Sequence, residues 1–403
     1  YLVAYWIILF GPRPEHINAY NRNFSLQFSP FQHIIGANST EVTVMTINEI
    51  LLIFLALGAG LGGLDLMLGN RLGLGAQFEK GIHMLGPLAL SMAGIICLAP
   101  VLTKVLGPVV VPVCQFLHMD PGIFGSILAI DTGGYQLSVE LAKDPQFGLF
   151  SGIILSSIFG CTLVFTIPVG LGFLPESDRS WFIRGILIGL TTMPFSIILA
   201  GILLGLPLGT LLWNCLPILL LSLILGIGVT KAPDAMMVVF QKFANLIRII
   251  AIFGLTVAAV SHLSGIRILP GLLPLEESMQ TISSICIVML GSMPLAEVIQ
   301  RIMHRPFQAI SAKTGLNGAS TTALLLGFVT ATPALAMLPQ MNRRGQVVIS
   351  AAFVSCICLF GAHFAFANAL CPEMVPTQLA AKALGGILAA ILAMAATRDL
   401  KEV

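Results

Sequence analysis

The chain has 403 residues, of which 57% are hydrophobic and only 9% are charged. An average soluble domain has about 25% charged residues, so a soluble protein of this length would lack the polar surface that it needs. The shortage of charge also excludes a disordered chain. The net charge of +2 gives no indication of a nucleic-acid partner. The composition instead predicts an all-α, polytopic membrane protein whose surroundings are the lipid bilayer.

The first 44 residues differ from the rest of the sequence. Tyr1 begins a mixed stretch without periodicity, and Gly11-Pro12 ends its apolar run before the run is long enough to cross a bilayer. We interpret residues 1–44 as a non-native or disordered upstream extension and exclude them from the fold. Residues 45–403, which start at Met45, form a single transmembrane domain in this interpretation.

Long apolar runs follow Met45. We predict about nine membrane spans, together with two separate short apolar pieces at 105–117 and 303–313. Two amphipathic connectors, 70–80 and 231–241, are expected to lie along the membrane interface. The predicted spans are 47–67, 82–103, 148–173, 181–206, 208–229, 246–264, 279–300, 346–370 and 378–397.

Two further apolar stretches contain helix-breaking residues. The stretch 121–142 is interrupted at 131–134 by Asp-Thr-Gly-Gly, and the stretch 316–340 is interrupted at 330–333 by Thr-Ala-Thr-Pro. Glycine and proline interrupt helices, and backbone groups freed inside a bilayer must be satisfied by protein or by a water-filled cavity. We therefore predict two broken, re-entrant segments.

These features occur twice in the same order, at an offset of about 200 residues, which indicates an internal duplication. Met84–Ala89 is echoed by Met289–Ala296, and in both places a broken segment, a short polar loop and a long apolar span follow. The predicted repeat halves are about 81–173 and 278–370.

The distribution of lysine and arginine predicts the orientation. With two re-entrant segments and an external N-terminus, most basic residues that flank the spans fall on the cytoplasmic side, and Lys104, Lys143 and Arg267 fall outside. The C-terminus is then cytoplasmic, and the two halves have opposite orientations. Inverted repeats with interrupted helices in matching positions are typical of secondary transporters, which bind their substrates near the bilayer midplane at the interruptions.

Asp131 is the main candidate for substrate binding. An ionised carboxylate at membrane depth costs about 2.5–3.5 kcal/mol on insertion scales, so it needs a partner such as a ligand cation. Gly133 and Gly134 would free backbone carbonyls for an ammonium group, and the ring of Tyr135 would cover a small cation. The alternative is that Asp131 caps the second half of the broken helix and has only a structural role.

The second broken segment offers hydroxyl groups rather than a charge. Thr330 and Thr332 are candidates for hydrogen bonds to a substrate hydroxyl, or for bonds to their own helix. His363 and Asn368 follow in the next predicted span. Each of these two residues is a candidate ligand or, alternatively, a packed residue whose hydrogen bonds are satisfied within the protein.

Other polar residues are expected to have structural roles. Asp65 and Glu297 lie near predicted span ends and are expected at the interface, although they are the next candidates for a cation site if Asp131 is structural. Glu140 is expected to pair with Lys143 at i, i+3, and Asn214 to form hydrogen bonds between helices.

No motif predicts catalysis, a metal or a cofactor. The eight cysteines form no Cys-x-x-Cys pair and no cluster with histidine, and we interpret them as small apolar residues of helices. Residues 58–63 match the dinucleotide-binding pattern Gly-x-Gly-x-x-Gly, but they lie inside an apolar run, where close helix packing explains them better. A membrane-embedded enzyme that acts on a lipid head group and a sensory membrane subunit are the two alternatives to a transporter.

Together with Asp131–Tyr135, further motifs resemble the ethanolamine utilisation permease family of the EutH type. The resemblance covers about Met45 to Arg398. It implies a permease of the bacterial inner membrane that moves ethanolamine and is encoded with the ethanolamine ammonia-lyase pathway. The motifs that carry the resemblance are Ile47–Ile50, Gln77–Gly81, Gly86–Met92, Leu98–Leu102, Leu106–Val109, Leu128–Tyr135 and Phe165–Gly172.

The second repeat half departs from this family pattern. Thr330-Ala331 stands where the family usually has Asn-Asn before the proline, and Ala362 stands where an aspartate usually precedes the histidine. The lost polar groups lie in the half that would contact the far end of the substrate. A paralogous transporter for a related amine or amino alcohol is therefore the alternative to an ethanolamine permease.

Overall fold

The computed structural model describes residues 47–127 and 134–400, and the architecture is that of the unit Leu52–Val403. The described residues form helices joined by short loops. The α-helices are α1 (Ile47–Met67), α2 (Leu74–His83), α3 (Leu85–Leu88), α4 (Gly94–Phe116), α5 (Gly122–Ile127), α6 (Tyr135–Leu141), α7 (Pro145–Phe150), α8 (Ile167–Phe173), α9 (Glu176–Leu203), α10 (Leu208–Lys231), α11 (Pro233–Ser264), α12 (Leu275–Thr314), α13 (Gly318–Gly327), α14 (Ala331–Ala336), α15 (Arg343–Cys356), α16 (Ala362–Leu370) and α17 (Val375–Ala396).

Three segments are π-helical and continue the neighbouring α-helices. Ala89–Ala93 joins α3 to α4, and Ser151–Gly160 and Thr162–Thr166 join α7 to α8. The combined helix 145–173 is the most buried of the long helices, because 89% of its most apolar 18-residue window is enclosed by protein. This helix forms the centre of the molecule, and we refer to it as the central helix.

The membrane prediction is confirmed. Among the described residues, eight helices are long and apolar enough to cross a bilayer, as an all-α polytopic protein requires. The ninth predicted span, 346–370, is wrong as one continuous helix. It consists of α15 and α16, separated by residues 357–361 that are not helical.

Two predicted boundaries are also wrong. The pieces 105–117 and 303–313 are not separate, because α4 and α12 continue through them with Pro108 and Pro306 inside the helices. Prolines are tolerated in membrane helices because neighbouring groups satisfy the backbone that they free. The connector 231–241 is likewise not separate and forms the start of α11.

The second break is confirmed, but it begins earlier than predicted. α13 ends at Gly327 and α14 begins at Ala331, so the interruption is 328–330 rather than 330–333. Pro333 occupies the third position of α14 and therefore does not break it, since the first backbone N–H groups of a helix have no intrahelical partner in any case. The first predicted break at 131–134 lies outside the described residues except for Gly134, which precedes α6.

The interruption 328–330 and the interruption 357–361 satisfy each other's backbone groups. The Cys358 N–H donates to the carbonyl of Gly327 at 2.7 Å, and the Phe360 N–H donates to the carbonyl of Phe328 at 2.7 Å. Gly361 lies so close to the backbone of the interruption 328–330 that a Cβ there would stand 1.9 Å from the Val329 carbonyl oxygen. The pairing therefore requires glycine at this position.

The second hairpin, α13–α14, begins and ends at the same place. Asn317 caps α13 through Ser320 and donates from Nδ2 to the carbonyl of Gln340 at 2.9 Å. Asn342 caps α15 through Gly345 and donates from Nδ2 to the carbonyl of Gly315 at 2.8 Å. Two asparagines thus tie the start of the hairpin to its end.

The first hairpin, α5–α6, has an equivalent tie. Asp120 accepts from the Gly122 N–H at 2.8 Å and, through its other oxygen, from the backbone of Lys143 at 3.1 Å and Asp144 at 3.3 Å. Asn214 of α10 accepts from the Asp120 N–H at 2.6 Å, so its bond outside its own helix goes to the loop before α5 and not to a second helix. In each hairpin, the first and last residues are thus held next to each other, as they are in a re-entrant segment.

Small residues allow the long helices to cross closely. A Cβ on Gly58 of α1 would stand 2.4 Å from the Gly291 carbonyl oxygen of α12. On Gly62, it would stand 2.8 Å from Pro294. This close approach confirms helix packing for Gly58 and Gly62, whereas a Cβ on Gly60 would have no atom within 4 Å.

Basic residues gather at one end of the molecule. Arg344 donates to the carbonyls of Thr397 at 2.7 Å and Met394 at 3.2 Å, Arg179 pairs with Asp234, and Arg343 lies 5.5 Å over the ring of Trp181. The opposite end contains the tie at Asp120 and the pair His262–Glu276 at 2.8 Å. This grouping agrees with the predicted topology, although the cytoplasmic assignment itself stays a prediction.

Replacing Asn342 with alanine should destabilise the second hairpin. The substitution removes both the cap on the Gly345 N–H and the bond to Gly315, with an expected loss of about 1–2 kcal/mol. Thermal unfolding of the purified protein in detergent measures the effect. Asn245→Ala, at an exposed asparagine of α11 for which the described part of the chain gives no hydrogen bond, is the matched control. Equal melting temperatures for the two variants would contradict the tie.

Cysteine labelling tests the orientation. An impermeant thiol reagent added to intact cells should label Lys143→Cys and should not label Arg343→Cys, because the basic end is expected in the cytoplasm. Both positions are exposed, and the eight native cysteines are all buried, so the background should be low. Labelling of position 343 from outside would reverse the topology.

Candidate functional site

The middle of the central helix is π-helical and is enclosed by protein on all sides. All ten residues of Ser151–Gly160 are buried and π-helical, a form that is rare and frequently marks functional positions. The Ser151 hydroxyl donates to the carbonyl of Gly122 in the first hairpin at 2.8 Å. The Thr162 hydroxyl lies 2.7 Å from the carbonyl of Ile158 in its own helix and 3.0 Å from the carbonyl of Val354 in α15, and the two carbonyls share its one proton. The central helix therefore contacts both the first hairpin and α15.

A fully buried lysine contacts this segment. Lys382 of α17 has no exposed surface, and its Nζ donates to the carbonyl of Ser157 at 2.8 Å. Its second contact is Nδ1 of His363, at 3.2 Å. His363 is 3% exposed. Ionisable residues inside membrane helices are rare and mark functional positions by default.

The contact between Lys382 and His363 joins α17 to α16. The backbone of Ile357, in the interruption between α15 and α16, lies close to the His363 ring. The buried pair therefore lies beside an interrupted helix.

Two buried amide side chains near this pair lack partners. Neither the oxygen nor the nitrogen of the Gln378 amide has a hydrogen-bond partner in the described parts of the chain, and the side chain is 1% exposed. Gln378 precedes Lys382 by four residues in α17, so the two share a helix face. The Nδ2 of Asn368 in α16 is also unpaired, at 3% exposure. Unpaired buried polar groups are costly and require an explanation such as a ligand.

Tyr135 opens the second helix of the first hairpin and packs against α16. Its hydroxyl lies 3.3 Å from the Cys371 sulfur, and its ring meets Phe366 edge-on at 5.6 Å between centroids. A Cβ on Gly152 of the central helix would stand 2.8 Å from the Tyr135 ring. Gly134, directly before it, is buried. Tyr135 therefore lies where the first hairpin, the central helix and α16 meet.

The cavity beside Tyr135 is small. It has a volume of about 30 Å³ and is walled by Met92, Ile96, Tyr135, Gln136, Thr281, Phe366 and Leu370. Its walls include residues of the first hairpin, α12 and α16, which meet at Tyr135.

Two larger cavities lie elsewhere. One of about 460 Å³ has mostly aliphatic walls between α9 and α10. The other, of about 860 Å³, is walled by α11 and the ends of the second and third spans, and it includes Arg248, Gln241 and Asn245. Those three polar residues are exposed on the side of a single helix. Neither cavity contains the buried polar groups of the interruptions, so size alone does not locate the site.

The two threonines occupy different environments. Thr330 is half-buried at the start of α14, where its side chain makes no capping bond. Thr332 is exposed on the first turn of α14. Among the described residues, contacts join Tyr135 to α16, and His363 to Lys382 in α17. The described contacts do not include either threonine in this group. Asp131 and Gly133, the other two predicted ligands, lie outside the described residues.

The remaining carboxylates mostly serve structure. Asp65 is buried and accepts from the backbone N–H groups of Leu72 at 2.8 Å, Leu74 at 2.8 Å and Gly75 at 2.9 Å, so it holds the start of α2 rather than facing the interface. Glu297 pairs with Arg301 at 2.8 Å.

The predicted pair of Glu140 with Lys143 is wrong. Glu140 accepts from the Thr103 hydroxyl at 2.9 Å and from Gln136 at 3.2 Å instead. The end of α6 at Leu141 explains the difference, because Lys143 lies beyond the helix and its backbone is held by Asp120.

Lys382 and Gln378 are absent from the residues predicted from sequence. The signal is nevertheless present, because Lys382 is a lone basic residue within the apolar run 378–397. The Ser157 carbonyl has no such signal, since a backbone acceptor is exposed by helix geometry and not by residue type.

Comparisons with known proteins agree with the resemblance seen in the motifs. Residues 47–396 match the family described as "Ethanolamine utilisation protein, EutH". The "Probable ethanolamine permease EutH" of Listeria monocytogenes is 36% identical over 346 residues, which cover 86% of this chain and 93% of that protein. The "Uncharacterized protein YxeR" of Bacillus subtilis is 38% identical over 350 residues, which cover 87% and 95%.

A third relative is more distant but leads to the same family. The "Probable ethanolamine permease EutH" of Escherichia coli is 33% identical over 347 residues, which cover 80% of this chain and 85% of that protein. No solved structure matches the chain. The match over 47–396 and these identities are sufficient to assign the family. The chain therefore belongs to the EutH family and is a permease, not an enzyme.

Proposed function

We propose that this permease moves ethanolamine across the bacterial inner membrane by alternating access, with its C-terminus in the cytoplasm. Relatives from Listeria monocytogenes and Escherichia coli are named as probable ethanolamine permeases, and together with the arrangement of buried polar groups they support the substrate class. The gathering of arginines at one end supports the orientation.

The unpaired amide of Gln378 is the observation that carries this proposal. A glutamine that is 1% exposed and has no partner for either amide atom within 47–127 and 134–400 destabilises the empty protein. Such a group is retained when a polar ligand completes its hydrogen bonds during the working cycle. An amine with a hydroxyl group supplies the donors and the acceptor that an amide and Asn368 require.

The chemistry of the substrate sets the other requirements. An alkyl amine resembles the lysine side chain, with a pKa of about 10, so ethanolamine is mostly a cation at neutral pH. A cation that enters a low-dielectric site needs partners in place of its water. In our proposal, Asp131 supplies the opposite charge, and the backbone at Gly133 and Gly134 together with the Tyr135 ring surrounds the ammonium group.

The facing repeat half would receive the hydroxyl end. Thr330, Thr332, His363 and Asn368 are the proposed partners, and Gln378 joins them on the strength of its unpaired amide. The cavity at Tyr135, between the first hairpin, α12 and α16, is where the two halves meet in this proposal. Movement of one repeat half against the other would open this region to one side at a time.

Substrate competition tests the proposal directly. Uptake of labelled ethanolamine into membrane vesicles should be saturable and should be inhibited more strongly by unlabelled ethanolamine than by choline or propanolamine. Stronger inhibition by propanolamine would favour the paralogous transporter for a related amine, as the alanines at 331 and 362 suggest. Vesicles with the protein that take up no more ethanolamine than vesicles without it would exclude the proposed function.

Asp131→Asn should abolish ethanolamine uptake while the protein still inserts and folds. Asparagine keeps the shape and the capping ability of aspartate but removes the negative charge. Asp144→Asn is the matched control, because Asp144 caps α7 through the Gln146 N–H and asparagine caps equally well. Normal uptake by a folded Asp131→Asn protein would show that the carboxylate is structural.

Gln378→Leu should weaken ethanolamine binding by about tenfold, the effect of losing roughly 1.4 kcal/mol, without lowering the melting temperature. The amide has no partner to lose in the empty protein, so an apolar replacement is neutral or stabilising there. Gln300→Leu is the matched control. It should lower the melting temperature and leave ethanolamine binding unchanged, because the Gln300 Nε2 donates to the Leu325 carbonyl at 2.9 Å. A Gln378→Leu protein with unchanged affinity would remove Gln378 from the site.

A further inference from the structure

Among the residues that the structure describes, Lys382 has hydrogen-bond acceptors for two N–H groups and not for three. Its described partners are the Ser157 carbonyl oxygen at 2.8 Å and the His363 Nδ1 at 3.2 Å. A lysine ammonium carries three N–H donors, whereas a neutral amine carries two. Loss of one proton would therefore break neither of these bonds, and the pocket suits both forms of the side chain.

The surroundings of Lys382 do not fix its charge. The titratable groups that face it are His363 from α16, Cys161 from the central helix, and Cys356 and Cys358 at the end of α15. None of the described carboxylates contacts it, unlike the usual pairing of a buried charge with its opposite. Both bonded acceptors are uncharged. A lysine tied to a carboxylate would be held as a cation, but this one is not.

The lysine is also close enough to the proposed substrate region to sense a second cation. Gly152, which touches Tyr135, and Ser157, which binds Lys382, are five residues apart on the central helix. Five residues are about one turn of this π-helical segment, so Tyr135 and Lys382 contact neighbouring turns of the central helix. Two unit charges on the order of 10 Å apart in a protein disfavour each other by roughly tenfold in binding.

We propose that Lys382 gives up a proton when the cationic substrate binds, so that each turnover moves one amine cation in one direction and one proton in the other. On the side of entry, the Nζ–H bond breaks, its electron pair stays on nitrogen, and the proton leaves to water on that side. On the other side, the amine cation departs and Nζ takes a proton from water there. Nothing is oxidised or reduced, and the exchange is electroneutral.

This inference rests on the proposed function, since it requires a cationic amine as the substrate. It differs from the simple carriage of a cation, which would move net charge. An electroneutral exchange does not respond to the membrane potential, whereas an inside-negative potential drives the uptake of a lone cation strongly. The two mechanisms therefore differ in a quantity that can be measured.

Purified protein in liposomes provides the test, with protein-free liposomes subtracted. Counterflow of labelled ethanolamine, with substrate on both sides, first establishes transport. Net uptake by the unaltered protein should then change by less than about twofold when an inside-negative potassium diffusion potential is imposed, because no net charge moves. An acidic lumen should accelerate uptake, since it supplies protons to Lys382 on the inner side.

Lys382→Met and Lys382→Arg remove the proton exchange in two ways. Methionine cannot carry the charge, and exchange of a buried ion for an apolar side chain is often tolerated. Arginine keeps the charge permanently. We expect Lys382→Met to lose the response to an acidic lumen and to gain a dependence on potential of about tenfold. Lys382→Arg should also lose the response to the acidic lumen. Lys104→Met, at an exposed lysine of α4, should behave as the unaltered protein.

Each result decides between defined alternatives. Counterflow by the unaltered protein combined with potential-driven net uptake would overturn the proton exchange and leave the proposed function intact. Retention of the response to an acidic lumen in Lys382→Met would also overturn it. Absence of counterflow in the unaltered protein would overturn the proposed function and the exchange together. If Lys382→Met does not fold, the potential dependence of the unaltered protein still decides.

Discussion

A bilayer offers no water to unsatisfied backbone groups, and the architecture of this permease depends on that constraint. Wherever a helix stops inside the protein, another element must supply hydrogen bonds. The interruptions at 328–330 and 357–361 do this for each other through Gly327, Phe328, Cys358 and Phe360. An interrupted helix at this depth is therefore possible only in pairs or next to polar side chains, and these pairs create the polar interior that a transporter needs.

The polar interior combines structural and functional demands. Residues such as Asp65, Asp120 and Asn342 have their hydrogen bonds completed by backbone groups, and they hold loops and hairpins in place. Gln378 and Asn368 do not have theirs completed among the described residues. In the function proposed above, this difference separates the groups that hold the empty protein together from the two amides that would bind the substrate.

Most of the long helices could be predicted from the sequence, because length and apolar composition alone decide whether a segment spans a membrane. The interruption at 357–361 could not, since its cause is the approach of the Val329 carbonyl to Gly361, a contact between residues 32 positions apart that leaves no local pattern. The break after Gly327 begins two residues before the predicted one, because Pro333, which the sequence pattern marks as a breaker, lies in the first turn of α14. The sequence marks Lys382 as unusual, because it is an ionisable residue in an apolar run. Its partner, the Ser157 carbonyl, could not be predicted.

The backbone pairing beside Gly361 has a mechanical consequence. Two main-chain hydrogen bonds and a contact that excludes even a methyl group join the second hairpin to α15 and α16. Elements joined in this way are expected to move as one body, because a sliding motion would leave the Gly327 and Phe328 carbonyls without partners in a dry environment. Any hinge or sliding surface must then follow contacts made by side chains alone. The edge-on meeting of Tyr135 with Phe366, where rings can separate without breaking a backbone bond, is such a surface.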